Sequence, residues 1–322
     1  MPITGPASYI PTTNEFLAHW DGVNTALGAG GPLVLPGGIT LANLTTHRDT
    51  LATKQSEVEG EINDLEIARG DLETGKAGGI TRLNQFNEKV RAFLGTTSYV
   101  RALPKVPTLT DGEGNFIPPC NDMDTLWTKI NAAVGIPGFT PPLLLLDGYA
   151  LATYQTDLAT LKTQFRAVGQ EEVQVRLKRG ERGALEETIY PLLKSYRQVV
   201  PTFFAANSPL VATLPKLTPE PGSTPDAVSA TGVWDAAAGQ GKITWTASAA
   251  ADLAQFEIRS SPGSSYSAED ESVIGNVGPT DPREFFTLHG LGAAGAVSVF
   301  KVYVITTTGN EKGSNVAQIT RP

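Results

Sequence analysis

Residues Thr40–Leu94 read TLANLTTHRDTLATKQSEVEGEINDLEIARGDLETGKAGGITRLNQFNEKVRAFL, and this stretch decides the fold of the first two thirds of the chain. Every seventh residue from Leu44 onward is apolar or glycine. A repeat of seven kept in phase over this length is typical of a long helix that holds one face against a partner helix. We therefore predict a coiled-coil-like seam that includes Leu44, Leu51, Val58 and Leu65.

The same pattern occurs twice. Adding 110 to the residue number places Pro32–Leu94 on Pro142–Phe204 without a gap, and 17 of the 63 paired positions are identical. The equivalent seam positions include Leu51 and Leu161, Val58 and Val168, and Arg69 and Arg179. Two copies are fewer than a repeat solenoid requires, so we predict a pseudo-symmetric pair whose seams bury each other.

Upstream of each long helix lies a short apolar pattern. Here the offset is 107, and it pairs Trp20 with Trp127. Each tryptophan begins a W-x-x-[V/I]-N pattern on an otherwise apolar helix face. We predict that Trp20 and Trp127 are equivalent core residues, each packing its short helix against the long helices.

Three glycines and one proline leave the continuity of the long helices open. Gly75, Gly78 and Gly79 interrupt the first long helix, and Pro191 interrupts the second. A glycine in a helix interior costs about 1 kcal/mol relative to alanine. We favour continuous helices because the repeat of seven keeps its phase, and the alternative is a hairpin that bends near Gly78. Parallel and antiparallel pairing are both possible, and we favour antiparallel pairing.

Charged residues also fall on the seam. Arg69, Arg179 and Arg182 occupy seam positions in the repeat of seven. Such residues usually fix the register of paired helices by pairing across the seam. The alternative is a contact with another subunit or an anion.

Composition narrows the class of function. The formal net charge is −8 and the isoelectric point is about 5, which argues against nucleic-acid and anionic-membrane partners. No run of about 18 apolar residues is present, and the N-terminus has no secretory signal pattern, so we predict no membrane insertion. A cytoplasmic location and export by another route both remain open. The single cysteine, Cys120, excludes an internal disulfide bond and a cysteine-rich metal site.

The order of these patterns predicts a multidomain α plus β protein, in which a duplicated long-helix domain precedes an antiparallel β-sandwich. We predict six regions: an extended N-terminal arm at 1–11, helical repeat 1 at 12–94, a Pro/Gly-rich connector at 95–119, helical repeat 2 at 120–204, a Pro-rich linker at 205–225, and the β-sandwich at 226–322.

Short β-branched and aromatic runs fill the last region. They include Lys242–Trp245, Phe256–Arg259, Leu288–Leu291 and Phe300–Val304. In this order the runs resemble strands B and C, the E–F corner and strand F of a fibronectin type III domain. The tyrosine that this family places after the corner is missing here. The resemblance implies a binding or spacer module with no catalytic residues, and a sandwich core that contains Trp245, Phe256, Leu288 and Phe300.

No pattern in the sequence predicts an enzyme, a metal site or a cofactor. The three histidines, His19, His47 and His289, are scattered and share no spacing with a nucleophile or a carboxylate. Our first hypothesis is a non-enzymatic structural protein: a helical rod with a sandwich module that assembles with copies of itself. The alternative is a binding or adhesion module in which the sandwich recognises a glycan or a protein and the rod is a spacer.

Overall fold

The computed structural model describes residues 2–136, 138–222 and 224–322. In these residues helices come first and strands follow. The helices are α1 (Tyr9–Leu27), α2 (Leu41–Leu94), α3 (Glu113–Ala132), α4 (Leu151–Val199) and the single turn α5 (Pro209–Ala212). The strands are β1 (Ala230–Asp235), β2 (Gln240–Trp245), β3 (Leu253–Ser261), β4 (Ser272–Val277), β5 (Glu284–Thr287), β6 (Val297–Thr306), β7 (Glu311–Gly313) and β8 (Ala317–Thr320). The predicted α plus β class, with long helices before an antiparallel sheet region, is confirmed.

The chain divides into two compact units. Unit 1 contains Met1–Asn63 and Val175–Pro322, and unit 2 contains Asp64–Gln174. Both long helices are continuous at the places that the sequence left open: α2 runs through Gly78 and α4 runs through Pro191.

Unit 2 is a three-helix core in which α2 and α4 run antiparallel. Arg69 of α2 donates from Nη2 to Oε1 of Glu172 at 3.1 Å, whereas Gly79, further along α2, faces Leu161, which comes earlier in α4. Helix α3 packs on both. The buried core includes Leu83, Phe86 and Val90 of α2, Phe116, Met123 and Trp127 of α3, and Tyr154, Leu158 and Leu161 of α4.

The helical part of unit 1 repeats this plan with the other ends of the same two helices. Its core includes Phe16, Trp20 and Val23 of α1, Leu44 and Leu51 of α2, and Ile189, Leu193, Tyr196 and Val200 of α4. Lys54 of α2 donates to Glu181 of α4 at 2.8 Å, so the helices are again antiparallel here. Each unit therefore joins the short helix and the start of the long helix from one copy to the end of the long helix from the other copy.

The loops between short and long helices are also equivalent. The Oδ1 atom of Asn24 accepts from the N–H of Leu33, and that of Asn131 accepts from the N–H of Leu143, both at 2.8 Å. A buried helix-to-loop connection of this kind satisfies a backbone donor that burial would otherwise leave unpaired.

Two predicted region boundaries are wrong at the N-terminal side of the short helices. Helix α1 begins at Tyr9 and is preceded by a 3-10 turn at Pro6–Ser8, so the predicted arm at 1–11 is largely helical. Pro11 lies in the first turn, where its missing N–H has no intrahelical partner to lose. Helix α3 begins at Glu113, inside the predicted connector, and contains Pro118 and Pro119. The free energy gained by burying the apolar face of α3 exceeds the cost of placing two prolines inside the helix.

The segments that follow the long helices pack on the units instead of hanging free. Asn87 donates from Nδ2 to the carbonyl oxygen of Pro104 at 3.0 Å, and Arg197 donates from Nη1 to that of Pro215 at 2.8 Å. Both prolines belong to a Leu-Pro-Lys sequence, at 103–105 and 214–216. The predicted connector and linker therefore continue the duplication, and the linker region also contains the helical turn α5.

The C-terminal strands form two antiparallel sheets. One has the order β1-β2-β5, and the other has β4-β3-β6-β7 with β8 also paired to β6. Trp245, Phe256 and Phe300 lie in the core between the sheets. Leu288 was predicted to be buried but is 48% exposed, because the chain turns after β5 and places Leu291 in the core instead.

Candidate functional site

A set of polar contacts in unit 1 joins the sandwich to the helices. Asp270, in the loop between β3 and β4, is only 1% exposed. Its carboxylate accepts from Arg179 of α4, with Nε–Oδ1 at 2.9 Å and Nη2–Oδ2 at 2.5 Å. Arg182, one turn further along α4, is buried and its Nη1 lies 3.7 Å from Oδ1 of Asp270. A two-pronged arginine–carboxylate pair fixes orientation as well as distance.

The two residues after Asp270 extend this junction to α2. The backbone oxygen of Glu271 accepts from Nε2 of Gln55 at 3.1 Å. Ser272 donates from Oγ to Oε1 of Glu59 at 2.6 Å. Three consecutive sandwich residues therefore contact both long helices, and this sandwich–helix junction, Asp270–Ser272 with their helix partners, holds the sandwich against the helices of unit 1.

A buried ionic cluster inside the sandwich supports the junction. Arg259 of β3 donates to Glu257, Glu271 and Glu311 at 2.6, 2.7 and 2.6 Å. Tyr303 and Tyr266 also donate to the Glu271 side chain. Arg259 and Glu257 are 2% and 0% exposed. Because the side chain of Glu271 is held in this cluster, its backbone oxygen is fixed where Gln55 reaches it.

The cluster holds one arginine among three carboxyl groups, and burial and charge act together on the pKa values of Glu257 and Arg259. Burial raises the pKa of Glu257, although Arg259 acts in the opposite direction. Burial acts to lower the pKa of Arg259, but Glu257 and Glu311 outweigh it and raise the value. Burial, together with the neighbouring Glu271, also raises the pKa of Tyr303 to about 12. The arrangement stabilises a neutral phenol and a charged guanidinium, which is the chemistry of a structural cluster.

Five of the predicted seam residues are buried, and three of them, Leu44, Leu51 and Leu161, belong to the two helical cores. Five are less than 8% exposed, namely Leu44, Leu51, Val58, Leu65 and Leu161. Val168 is only half-buried. Leu44 and Leu51 pack in the helical core of unit 1, and Leu161 packs in the core of unit 2.

The predicted seam arginines differ from one another in the structure. Arg69 is exposed and pairs with Glu66 and Glu172 in unit 2. Arg179 does not pair across the helix seam, because its carboxylate partner is Asp270 in the sandwich. The prediction that Arg179 is a seam residue is therefore wrong, since sequence spacing on a helix could not reveal a partner 91 residues away.

The two tryptophans occupy equivalent positions in the two cores. Trp20 and Trp127 are both 0% exposed. Trp127 donates from Nε1 to the backbone oxygen of Leu143 at 3.0 Å, whereas the Nε1 atom of Trp20 is buried with no partner among the described residues. Tyr196 stacks against Trp20 with ring centroids 4.8 Å apart.

Each unit exposes an equivalent pair of apolar side chains. Phe93, at the end of α2, is 53% exposed, and Phe203, just after α4, is 55% exposed. In the loops, Val34 and Leu144 are 47% and 41% exposed, although each lies between two buried leucines. Phe93 and Leu144 line one shallow groove of unit 2. We call these the apolar patches: Phe93 with Leu144 in unit 2, and their sequence equivalents Phe203 and Val34 in unit 1.

His19 and Cys120 are both engaged in structural contacts. Both ring nitrogens of His19 are hydrogen-bonded, to the Tyr196 hydroxyl at 2.6 Å and to the Leu210 carbonyl at 2.9 Å. Burial lowers the pKa of His19 and raises that of the Cys120 thiol.

In the part of the chain that the structure describes, no group of three or more potential ligands is placed to hold a metal ion. Across these same ranges, no helix combines the length and apolar character needed to cross a bilayer.

Sequence reasoning missed the junction and the buried cluster. One available signal was the alternation Phe256-Glu257-Ile258-Arg259, which puts two charged residues on the strand face opposite the sandwich core. In an isolated sandwich that face would be solvated. In the structure every residue from Phe256 to Ser261 is buried, so both faces of β3 are covered.

Comparisons with known proteins give only partial similarities. No protein-family model and no curated protein sequence matches the chain. Among solved structures, an Fn3-like protein from Clostridium thermocellum is similar over 31% of this chain and 96% of its own, at 19% identity and a TM-score of 0.25. Pectate lyase PelI from Erwinia chrysanthemi, in complex with tetragalacturonic acid, is similar over 29% of this chain, at 13% identity and a TM-score of 0.25. Pectate lyase Pel3 from Pectobacterium carotovorum is similar over 28%, at 15% identity and a TM-score of 0.23. This chain spans 28% and 26% of those two lyases, and similarities this low support no conclusion about activity.

Proposed function

We propose that the chain is a non-enzymatic structural protein that associates with copies of itself through the two apolar patches. The observation that carries this proposal is the exposure of Phe93 and Phe203 at equivalent positions. Only 17 of 63 paired positions are still identical between the copies, yet both keep a phenylalanine at this site. Burying an exposed side chain of this size contributes about 1.5–3 kcal/mol to the free energy of association. A contact with another copy at this site therefore stabilises the assembly.

Two patches on one chain make the association open-ended. If each patch contacts the equivalent patch of another copy, a chain with two patches bridges two neighbours, and assembly continues beyond a dimer. The sandwich accompanies the helices into such an assembly because the Arg179–Asp270 pair holds it in place.

We assign the sandwich to the fibronectin type III class as part of this proposal. Support comes from the sheet orders β1-β2-β5 and β4-β3-β6-β7, and from Trp245 of β2 packing against Phe256 with ring centroids 5.5 Å apart. In this assignment the sandwich is a module on the surface of the assembly and has no catalytic role.

Light scattering and sedimentation velocity over a wide range of concentrations test the proposal. We expect the unchanged protein to form species larger than a dimer, each single variant Phe93→Ser or Phe203→Ser to stop at the dimer, and the double variant to remain monomeric. Val233→Ser, at a 58% exposed position on β1, is the matched control and should assemble normally. A monomeric unchanged protein, or normal assembly of the double variant, contradicts the proposal.

A second candidate function is ligand binding by the sandwich. Phe286 and Leu288, on and just after the edge strand β5, are 37% and 48% exposed, and Nζ of Lys242 lies 5.1 Å from the Phe286 ring centroid. An exposed edge with aromatic and apolar side chains is a surface that another molecule can cover. A glycan array probed with the full chain tests this candidate. Specific binding that Leu288→Ser abolishes without changing assembly would favour it.

A further inference from the structure

The core of the sandwich ends at one edge in two serines. On β3, Ser260 comes two residues after the core residue Ile258, and on β6, Ser298 comes two residues before the core residue Phe300. Side chains two positions apart on a strand lie on the same face of the sheet, so both serines face the core. Ser260 is 2% exposed and Ser298 is 3% exposed. Two buried hydroxyl groups therefore lie where the neighbouring core residues are apolar.

The two serines line a polar pocket of unit 1 with a volume of about 180 Å³. Within the ranges that the structure describes, neither hydroxyl group bonds to another group of the protein. Gly290 also lines this pocket with a φ angle of +68°, and a Cβ atom there would lie 2.6 Å from Oγ of Ser298. Glycine therefore lets the chain turn at this position without covering the hydroxyl. A buried hydroxyl without a hydrogen bond costs free energy, and a ligand that bonds to it removes that cost.

Helix α2 contributes two further polar side chains to the same pocket, Glu59 and Asn63. Residues four positions apart lie on the same face of a helix. The Oε1 atom of Glu59 accepts from Ser272 at 2.6 Å, which holds the carboxylate in place. Its Oε2 atom and the Asn63 amide have no partner among the described residues. The imidazole of His289 lines the pocket as well. Side chains from the helix and from the sandwich thus leave several hydrogen-bonding groups available at one place.

The charge and size of the pocket limit the kind of ligand. Its lining residues in the described ranges include neither lysine nor arginine, so the pocket does not favour an anion. Glu59 is the single carboxylate of this lining, and one of its oxygens is already used. Hydroxyl and amide groups both donate and accept hydrogen bonds, so they suit a neutral molecule that has several hydroxyl groups. Pockets for drug-sized ligands begin at about 300 Å³, and this smaller volume therefore limits the ligand to one ring.

We propose that this pocket binds one sugar ring through neighbouring hydroxyl groups of the sugar. The planar carboxylate of Glu59 accepts from these groups, the Asn63 amide donates to them, and the hydroxyls of Ser260 and Ser298 bond to the part of the ring that enters the sandwich. The inference goes beyond the assembly proposed above and uses no residue of the apolar patches. It also places the ligand away from the exposed side chains of the β5 edge.

NMR titration of the full chain with the methyl glycosides of glucose, galactose and mannose tests the proposal. Together these three probes present neighbouring hydroxyl groups in both equatorial and axial arrangements. Tetrahydropyran is the control probe because it is the same ring without hydroxyl groups, and methylammonium tests a cationic ligand instead. We expect saturable binding of at least one glycoside, and no saturable binding of tetrahydropyran or methylammonium.

Ser260→Ala and Ser298→Ala should each weaken glycoside binding about fivefold, which is the value of one net hydrogen bond. Neither change should alter the melting temperature, because neither hydroxyl bonds to a described protein group. Ser314→Ala is the matched control: this buried sandwich hydroxyl accepts from the N–H of Val302 at 3.0 Å and donates to the carbonyl oxygen of Asn315 at 2.6 Å. It should show the reverse pattern, with a lower melting temperature and unchanged affinity.

Three results would overturn the proposal. The first is no saturable binding of any of the three glycosides, which is the result for a pocket that holds only water. The second is unchanged affinity in either Ser260→Ala or Ser298→Ala. The third is loss of glycoside binding in Leu288→Ser, which would place the ligand on the β5 edge. Saturable binding of methylammonium but of no glycoside is a form of the first result and would identify a cation site.

Discussion

Gln55 in unit 1 and Phe165 in unit 2 occupy equivalent positions, and so do Arg182 and Leu72. In unit 1, Gln55 bonds to the sandwich and Arg182 is buried beside Asp270. In unit 2, Phe165 and Leu72 pack against the apolar core. The inner faces of both units share the same apolar seam. The two copies have therefore kept the same apolar seam. A separate face of the helices differs between them, and its residues match what packs against that face in each unit.

A single arginine position shows the same principle. Arg69 and Arg179 are equivalent and identical, but Arg69 forms exposed pairs with helix residues while Arg179 forms a two-pronged pair with the buried Asp270. An exposed ion pair contributes about 0–1 kcal/mol, whereas loss of one partner from a buried pair costs about 3–5 kcal/mol. Equivalent residues can therefore differ several-fold in their contribution to stability.

The largest expected effect tests whether the two cores are equally important. Trp20→Ala and Trp127→Ala should each lower the free energy of unfolding by about 3–5 kcal/mol, because each ring is fully buried. Trp127→Ala should cost about 1 kcal/mol more, since it also removes the hydrogen bond to Leu143. Urea denaturation followed by circular dichroism measures both. An unchanged midpoint for either variant would show that the equivalent positions do not carry equivalent packing.

A smaller effect separates the buried pair from its exposed counterpart. Asp270→Asn should cost about 3 kcal/mol because it removes the buried carboxylate that pairs with Arg179 and leaves only Glu186, at 3.5 Å, beside the buried Arg182. Glu172→Gln, which weakens the equivalent exposed pair with Arg69, should cost less than about 1 kcal/mol. Urea denaturation of the two variants side by side gives the difference. Equal losses would mean that the sandwich–helix junction contributes no more than a surface ion pair.

The smallest effect concerns Glu186, whose equivalent in unit 2 is Lys76. Burial raises the pKa of Glu186 above the ordinary value of 4.5, and Arg182 offsets this only in part. The protonated carboxyl therefore contributes stability that is complete below pH 4.5 and is lost as the pH rises through the folded pKa. Glu186→Gln should raise the melting temperature slightly at pH 7 and leave it unchanged near pH 4.

Glu187→Gln, at the exposed neighbouring position, is the control for this pH dependence and should change the melting temperature at neither pH. Scanning calorimetry at the two pH values provides the measurement. If Glu186→Gln lowered the melting temperature at pH 7, Glu186 would instead be a stabilising partner of Arg182.

Part of the fold could be predicted because it depends on local periodicity. The repeat of seven and the offset of 110 identified the long helices, and five of the predicted seam residues are buried. The starts of α1 and α3 were missed because prolines were interpreted as helix breakers. The offset of 107 extends back to Tyr9-Ile10-Pro11 and Phe116-Ile117-Pro118, and this equivalence would have placed both helix starts correctly.

The candidate sites could not be predicted in the same way. Asp270 and Arg179 are brought together by the fold and not by any spacing in the sequence. The repeated Leu-Pro-Lys sequence was visible, but only the bonds from Asn87 and Arg197 show that it holds the return segments on the cores.

The central claim is that the two long helices of one chain bury their seams against each other, in two equivalent cores. Leu51→Asp and its equivalent Leu161→Asp test this claim most directly, with circular dichroism to measure helix content and sedimentation to measure assembly. Both leucines are less than 5% exposed, so an unpaired carboxylate at either position should unfold the core around it. We predict a large loss of helix content in both variants. Full helix content in a monomer that has lost only its assembly would show instead that the seams meet between chains.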